Sequence, residues 1–80
     1  MRRRYVATKV PVKSDGSCIW EIRELYEDKD GRFSYTAGPI TPLGENYEEL
    51  VEDLKMMSKD VSRPWLDLTG DTPLVVQNGQ

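Results

Sequence analysis

A helix with clear signals at both ends constrains this chain more than any other feature. Asn46 is placed to accept a hydrogen bond from the backbone N–H of Glu49, whose side chain can reach back, in a variant of the capping box. Acidic residues fill the first two turns and basic residues follow, which suits the helix dipole. Pro64 disfavours helical geometry at the preceding residue, so the helix should end near Ser62. We therefore predict a helix over residues 46–62.

Apolar residues recur along this helix at steps of three and four, so we expect them to form one stripe that faces a core. The stripe consists of Tyr47, Leu50, Val51, Leu54, Met57 and Val61. Leu54 lies near its middle. Its replacement by alanine is therefore expected to cost about 2–5 kcal/mol, which is comparable to the total stability of a domain of this size.

Upstream of the helix the pattern changes to the alternation that is typical of strands. We predict a first strand over residues 5–12, a second over 18–27 and a third over 32–37. Residues 14–17 and 28–31 carry the Asp-Gly pairs that favour tight turns. These segments should form a three-stranded antiparallel meander.

Within the second strand, the two faces are both partly apolar. Trp20 and Ile22 share one face, whereas Ile19 and Leu25 share the other. Because an exposed strand face is usually polar, this pattern indicates either that the second face is also partly covered or that a bulge shifts the register within the strand. We favour partial cover of the second face.

The segments on either side of the helix are irregular. Residues 38–44 hold two prolines and two glycines, so they should cross from sheet to helix, with Ile40 and Leu43 packed under the helix. Trp65 and Leu66 are too apolar to lie wholly in water, and we expect them against the sheet or a partner.

The predicted fold class is therefore α+β, with a three-stranded antiparallel β-meander and one amphipathic helix on one of its faces (β-β-β-α). Residues 1–68 form the single domain, and residues 69–80 form a flexible tail in which 74–76 is a short possible exception. A domain of 80 residues buries only about 60% of its unfolded surface, so its stability should be modest.

Composition excludes several classes of site. The chain has one cysteine and no histidine, so an internal disulfide and the usual zinc and haem spacings cannot be assembled. No apolar run approaches the roughly 20 residues of a membrane span, and the Arg-rich start is not followed by a signal-peptide apolar region. The expected location is a bacterial-type cytoplasm. A net charge of -3 argues against a dedicated nucleic-acid binder.

Four features carry alternative chemical interpretations. Cys18 lacks a histidine base and is expected to be a buried or half-buried structural thiol rather than a nucleophile. The carboxylates within 21–30 lack the spacing of a calcium loop, so they should be solvated charges. The arginines at 2–4 can bind phosphate or an acidic partner, although a solvated terminus is the simpler interpretation.

The fourth feature is the set of aromatic residues, which can stack nucleic-acid bases or form core and cross-strand pairs. The set consists of Trp20, Tyr26, Phe33 and Tyr35. Their spacing and the acidic chain favour the core interpretation. We therefore predict no catalytic residue, no cofactor and no metal ligand, and no enzyme activity.

Motifs along most of the chain carry a resemblance to a known group. They are Trp20-Glu21-Ile22-Arg23-Glu24-Leu25-Tyr26, Asp30-Gly31, Gly44-Glu45, Glu49-Leu50, Asp53-Leu54, Met57 and Pro64-Trp65-Leu66-Asp67. Over residues 5–68 this pattern resembles a group of short uncharacterised bacterial proteins. The resemblance implies one compact unit and carries no activity with it.

A second resemblance concerns the start of the helix. The strands followed by the run Gly-Glu-Asn-Tyr-Glu-Glu-Leu at 44–50 are similar to the β-β-β-α half of HicB-type antitoxins. Asn46 stands where that family usually has threonine, and Leu50 where it has alanine. This resemblance implies a module that binds and inhibits a small ribonuclease toxin.

One helix can cover only one face of the predicted sheet. The uncovered face retains Ile19 and Leu25, or their counterparts on the opposite face of the second strand. Trp65 and Leu66 should lie nearby, and we predict that Ile19, Leu25, Trp65 and Leu66 form an interface. Homodimerisation is the simplest way to cover such a surface, because a two-fold contact needs one self-complementary patch. The sequence therefore predicts a small cytoplasmic protein–protein interaction module that self-associates, with an antitoxin-like module as the alternative.

Overall fold

The computed structural model describes residues 2–12, 14 and 16–77. Its elements in chain order are β1 (Arg2–Pro11), β2 (Cys18–Glu27), β3 (Phe33–Tyr35), α1 (Tyr47–Asp60), β4 (Trp65–Asp67) and β5 (Leu74–Val76). The strands form one sheet in the order β3-β2-β1-β4-β5. β4 runs parallel to β1, and every other neighbouring pair is antiparallel.

The prediction of a three-stranded antiparallel meander is wrong, because the sheet has five strands of mixed direction and curls into a half-barrel. The predicted fold class, α+β, is nevertheless correct. After α1 the chain returns to the free edge of β1 and pairs with it as β4, and β5 then folds back onto β4. β4 thus pairs with backbone groups that β1 would otherwise leave open along this edge, and β5 does the same for β4.

Residues 74–76, which the sequence singles out as an exception within the predicted tail, pair with β4 as β5. The last three residues of that tail, 78–80, lie outside the described residues. The predicted bounds of β2 are confirmed, whereas β1 begins three residues earlier than predicted and β3 is shorter. In the β2–β3 turn, Gly31 has a φ of 90°, as the turn prediction requires. Asp15 of the first predicted turn lies outside the described residues.

The predicted cap of α1 is confirmed. Asn46 Oδ1 accepts a hydrogen bond from the backbone N–H of Glu49 at 2.9 Å. The carboxylate of Glu49 accepts from the backbone N–H of Glu45 at 3.0 Å, one residue before the predicted partner. The helix ends at Asp60, two residues before the predicted end, and the N–H of Val61 donates to the carbonyl of Met57.

One face of the sheet forms the main core. Val6, Leu25 and Leu66 each have 0% exposure and pack together. Four partly buried residues surround them: Phe33, Tyr35, Leu68 and Val75. No helix lies on this face among the described residues, so the curvature of the sheet brings these side chains together. The core therefore depends on β4 and β5 as much as on the N-terminal strands.

The other face carries α1. The hydroxyl of Tyr5 donates to Asp53 Oδ1 at 2.6 Å, and the backbone N–H of Tyr5 donates to Asp60 Oδ2 at 3.0 Å. Tyr5 alternates with Val6 along β1, so its side chain lies on the face opposite the main core. Met57 is 1% exposed and is not a member of the Val6 cluster, which agrees with a helix on this second face.

The prediction that the whole helix stripe faces a core is wrong for Tyr47, Leu50 and Leu54. Of its members, Met57 alone is buried, while Tyr47 is 77%, Leu54 52% and Leu50 40% exposed. Leu43, expected under the helix, is 75% exposed.

The cause of this exposure lies in how the helix is attached, because Tyr5 holds it by the flank that carries Asp53 and Asp60. Leu54 follows Asp53 by one residue, about 100° around the helix, and is thereby turned away from β1.

Candidate interaction surface

Two tryptophans lie together on the helix-bearing face. Trp65 precedes the core residue Leu66 in β4 and therefore lies on the opposite face from it. Trp20 pairs with Lys9, which is on that same face of β1. The two indole rings have centroids 4.9 Å apart at an angle of 60°, a favourable tilted arrangement. Trp20 remains 55% exposed although it has this contact.

The helix adds a second group of exposed apolar side chains to this face. We call Tyr47, Leu50 and Leu54 the outer stripe, since they recur at steps of three and four and stay exposed. Together with Trp20 we call them the exposed apolar surface. An aromatic side chain carries about 150–250 Å², so the exposed fractions of Tyr47 and Trp20 alone supply on the order of 250 Å². Exposed apolar side chains grouped on one face are candidates for a binding surface.

The four predicted interface residues do not form one exposed surface. Leu25 and Leu66 are fully buried in the same core cluster, so they are not available to a partner. Ile19 is 50% exposed but lies on the core-bearing side of β2, opposite Trp20. Trp65 alone lies beside the exposed apolar surface, through its contact with Trp20.

Sequence reasoning missed Trp20, Leu50 and Leu54 as surface residues. The alternation of β2 and the period of α1 show correctly which residues share a face. Neither pattern shows whether that face is covered by the same chain or left open. The number of apolar residues on α1 could have indicated an open surface, because one strand beneath the helix cannot cover all of them.

The strongest electrostatic feature is structural. The hydrogen bond to Asp53 raises the pKa of Tyr5 to about 12, with burial and the negative charge of Asp53 adding to the effect. The same bond and a second one from the backbone N–H of Leu43, at 2.8 Å, lower the pKa of Asp53. Asp53 therefore joins the strand, the helix and the connector, and it fixes the flank by which α1 is attached.

A second polar cluster lies on the core-bearing face. Arg23 is 8% exposed, and its Nε donates to Glu21 Oε2 at 2.6 Å. Its guanidinium also donates to the carbonyl of Thr36 at 3.0 Å and lies 5.9 Å from the ring centroid of Tyr35. These partners satisfy the buried charge, so the cluster is a structural ion pair.

The cavities in the described part of the chain lie between charged side chains. One cavity, of about 410 Å³, opens between charges of both signs and is lined by Arg2, Glu27, Asp28 and Lys29. Cys18 is exposed, contrary to the expectation of a buried or half-buried thiol, because it begins β2 at the open end of the sheet. Within the described residues, no group of His, Cys, Asp and Glu side chains could hold a metal ion.

Comparison with known proteins gives no relative. No family model, no curated protein and no solved structure matches the chain. Among the residues that the structure describes, there is no helix with the length and apolar character that crossing a membrane requires.

Proposed function

We propose that this protein is a small protein–protein interaction module that self-associates through its helix-bearing face and has no catalytic activity of its own. The observation that carries this proposal is the exposed apolar surface of Trp20, Tyr47, Leu50 and Leu54. The fully buried apolar residues in the described part of the chain number four: Val6, Leu25, Met57 and Leu66. A second copy that covers the outer stripe would add apolar burial that this small core does not supply by itself.

A second copy of the chain is the simplest partner for this surface. A two-fold contact uses the same patch on both subunits, so one surface is sufficient. Standard interfaces bury about 800 Å² on each partner, of which the exposed apolar surface would form the centre and the charged flanks of α1 the rim. We place this action in the cytoplasm, where a single exposed thiol such as Cys18 stays reduced.

Sedimentation equilibrium at micromolar concentration tests the proposal, with an expected mass of about twice the 9.2 kDa chain. Leu54→Ser should shift the protein towards the monomer because it introduces a polar group into the proposed contact. Ile19→Ser is the matched control, since Ile19 is 50% exposed and Leu54 52% exposed, and Ile19 lies on the other face. A wild-type protein that is strictly monomeric would contradict self-association. If Ile19→Ser dissociated the dimer and Leu54→Ser did not, the contact would lie on the core-bearing face and the proposed surface would be wrong.

A HicB-like antitoxin module is the second candidate. It is favoured by the order β1, β2, β3, α1 and by the observed cap at Asn46, where the resemblance lies. The acidic first turn, with Glu48 and Glu49, suits a basic partner such as a small ribonuclease. Co-expression with the neighbouring reading frame should yield a stable complex if this function is right. A neighbour that encodes no short basic protein would remove its support.

A further inference from the structure

We infer that α1 pairs with α1 of a second copy in antiparallel orientation, so that the outer stripes meet and Glu48 of each copy faces Lys55 of the other. This inference rests on the proposed self-association and adds the surface, the orientation and the charged contacts. It follows from three observations: which flank of α1 is already used, which residues border the free flank, and how charge is distributed along the helix.

The flank that carries Asp53 and Asp60 is already used within the chain. These two carboxylates are seven residues apart, close to two helical turns, and both accept hydrogen bonds from Tyr5. The outer stripe lies next to this attachment, and it is open to solvent along its length. A second copy can therefore approach α1 from the stripe without displacing any of these hydrogen bonds.

Glu48 and Lys55 border the stripe on the opposite flank. They are also seven residues apart, so they share one side of the helix. Lys55 follows Asp53 by two residues and therefore lies about 200° from it around the helix axis. Lys55 Nζ lies 3.8 Å from Glu52 Oε1, and the two side chains are 69% and 73% exposed. Such an exposed ion pair contributes little to stability, so Lys55 can form an ion pair with a carboxylate of another molecule instead.

The charge order along α1 suits an antiparallel pair. Glu48 lies in the acidic first turn, and the basic residues Lys55 and Lys59 lie in the second half. In an antiparallel two-fold pair the same flanks lie side by side in opposite directions. If Leu50 of one copy meets Leu54 of the other, the two-fold axis passes near residue 52. Glu48 then lies within about one residue rise, 1.5 Å, of the level of the second copy's Lys55.

A parallel pair would not form this contact. Its two-fold axis would run along the helices, so the flank of Glu48 and Lys55 would lie beside the other copy's flank of Asp53 and Asp60, which is already attached to Tyr5, and the two helix dipoles would point in the same direction. Antiparallel pairing forms the ion pair twice by symmetry, at the two edges of the apolar contact. The charges therefore determine the orientation, while Tyr47, Leu50 and Leu54 supply the buried area.

Charge reversal with rescue tests this arrangement. Glu48→Lys and Lys55→Glu should each raise the dimer dissociation constant about tenfold, because two attractive pairs per dimer become repulsive. An equimolar mixture of the two variants should recover the wild-type dissociation constant. In the mixed dimer the two substituted side chains, which are opposite in charge, face each other, and so do the two unchanged ones. Sedimentation equilibrium at low salt measures all four samples, and circular dichroism checks that the helix content is unchanged.

Asp28→Lys and Lys29→Glu are matched controls. They make the same charge changes at exposed residues of the β2–β3 turn, away from α1, and should leave the dissociation constant unchanged. At about 1 M salt the differences among all variants should disappear, because screening acts over about 3 Å.

The outcomes distinguish self-association from the antiparallel pairing of α1. A wild-type chain that stays monomeric removes both the proposed self-association and this inference. A wild-type dimer that neither Glu48→Lys nor Lys55→Glu weakens overturns the antiparallel pairing and leaves self-association standing. A mixture that fails to recover affinity overturns the facing of Glu48 and Lys55.

Discussion

Met57 and Leu54 lie three residues apart on α1, and the structure predicts very different costs for their truncation to alanine. Met57 is 1% exposed against the sheet, so Met57→Ala should cost about 2–5 kcal/mol for lost burial and the cavity that remains. Full burial of a leucine contributes about 1.5–3 kcal/mol. Because Leu54 is 52% exposed, about half of this is at stake, and Leu54→Ala should cost the monomer about 0.7–1.5 kcal/mol.

These values replace the expectation of about 2–5 kcal/mol for Leu54→Ala that the helical period alone suggests. Urea unfolding, followed by the fluorescence of Trp20 and Trp65, gives the free energy of unfolding of each variant. The measurement belongs at a protein concentration where the wild-type chain is monomeric. A domain of 80 residues has a total stability of roughly 4–12 kcal/mol, so the two costs are readily distinguished.

Protein concentration gives a second readout. The proposed dimerisation would stabilise the folded state by mass action, so under that proposal the cost of Leu54→Ala should grow with protein concentration. The cost of Met57→Ala should stay constant over the same range, because Met57 faces the sheet of its own chain. Equal costs for the two variants in the monomer would refute the reasoning, since they would show that both residues are buried to the same extent.

Two further predictions concern the way α1 is held. Gly44→Ala should destabilise the domain, because a Cβ at Gly44 would clash with the backbone nitrogen of Leu50. A thermal midpoint equal to that of wild type would contradict this close approach. The bond between Tyr5 and Asp53 should stabilise the fold fully below pH 10, the ordinary pKa of tyrosine, and be lost as the pH rises through about 12, where Tyr5 ionises. On the acid side its contribution is present above 3.8, the ordinary pKa of Asp53, and falls as the pH drops through the lower pKa of the folded state. Tyr5→Phe should therefore lower the thermal midpoint near neutral pH and flatten its pH dependence at both extremes; an unchanged pH profile would show that the bond contributes nothing.

Local signals predicted the local structure of this chain well. The cap at Asn46 and the bounds of β2 depend on residues within a few positions of one another, and the structure confirms both. β4 and β5 depend on pairing between distant parts of the chain. Each has three residues, too few for alternation to appear, and β4 is defined by its parallel contact with β1. Sequence periodicity carries no information on that contact.

The misassigned helix stripe shows a more general limit of amphipathic patterns. A period of 3.6 identifies the apolar side of α1, but it does not identify the surface that covers this side. The bonds from Tyr5 to Asp53 and Asp60 turn the helix so that Met57 faces the sheet while Leu50 and Leu54 face solvent. One apolar stripe thus has two functions in our interpretation, since Met57 holds the helix on its own sheet and the other residues meet a second copy. Selection for either contact alone would produce the same sequence period.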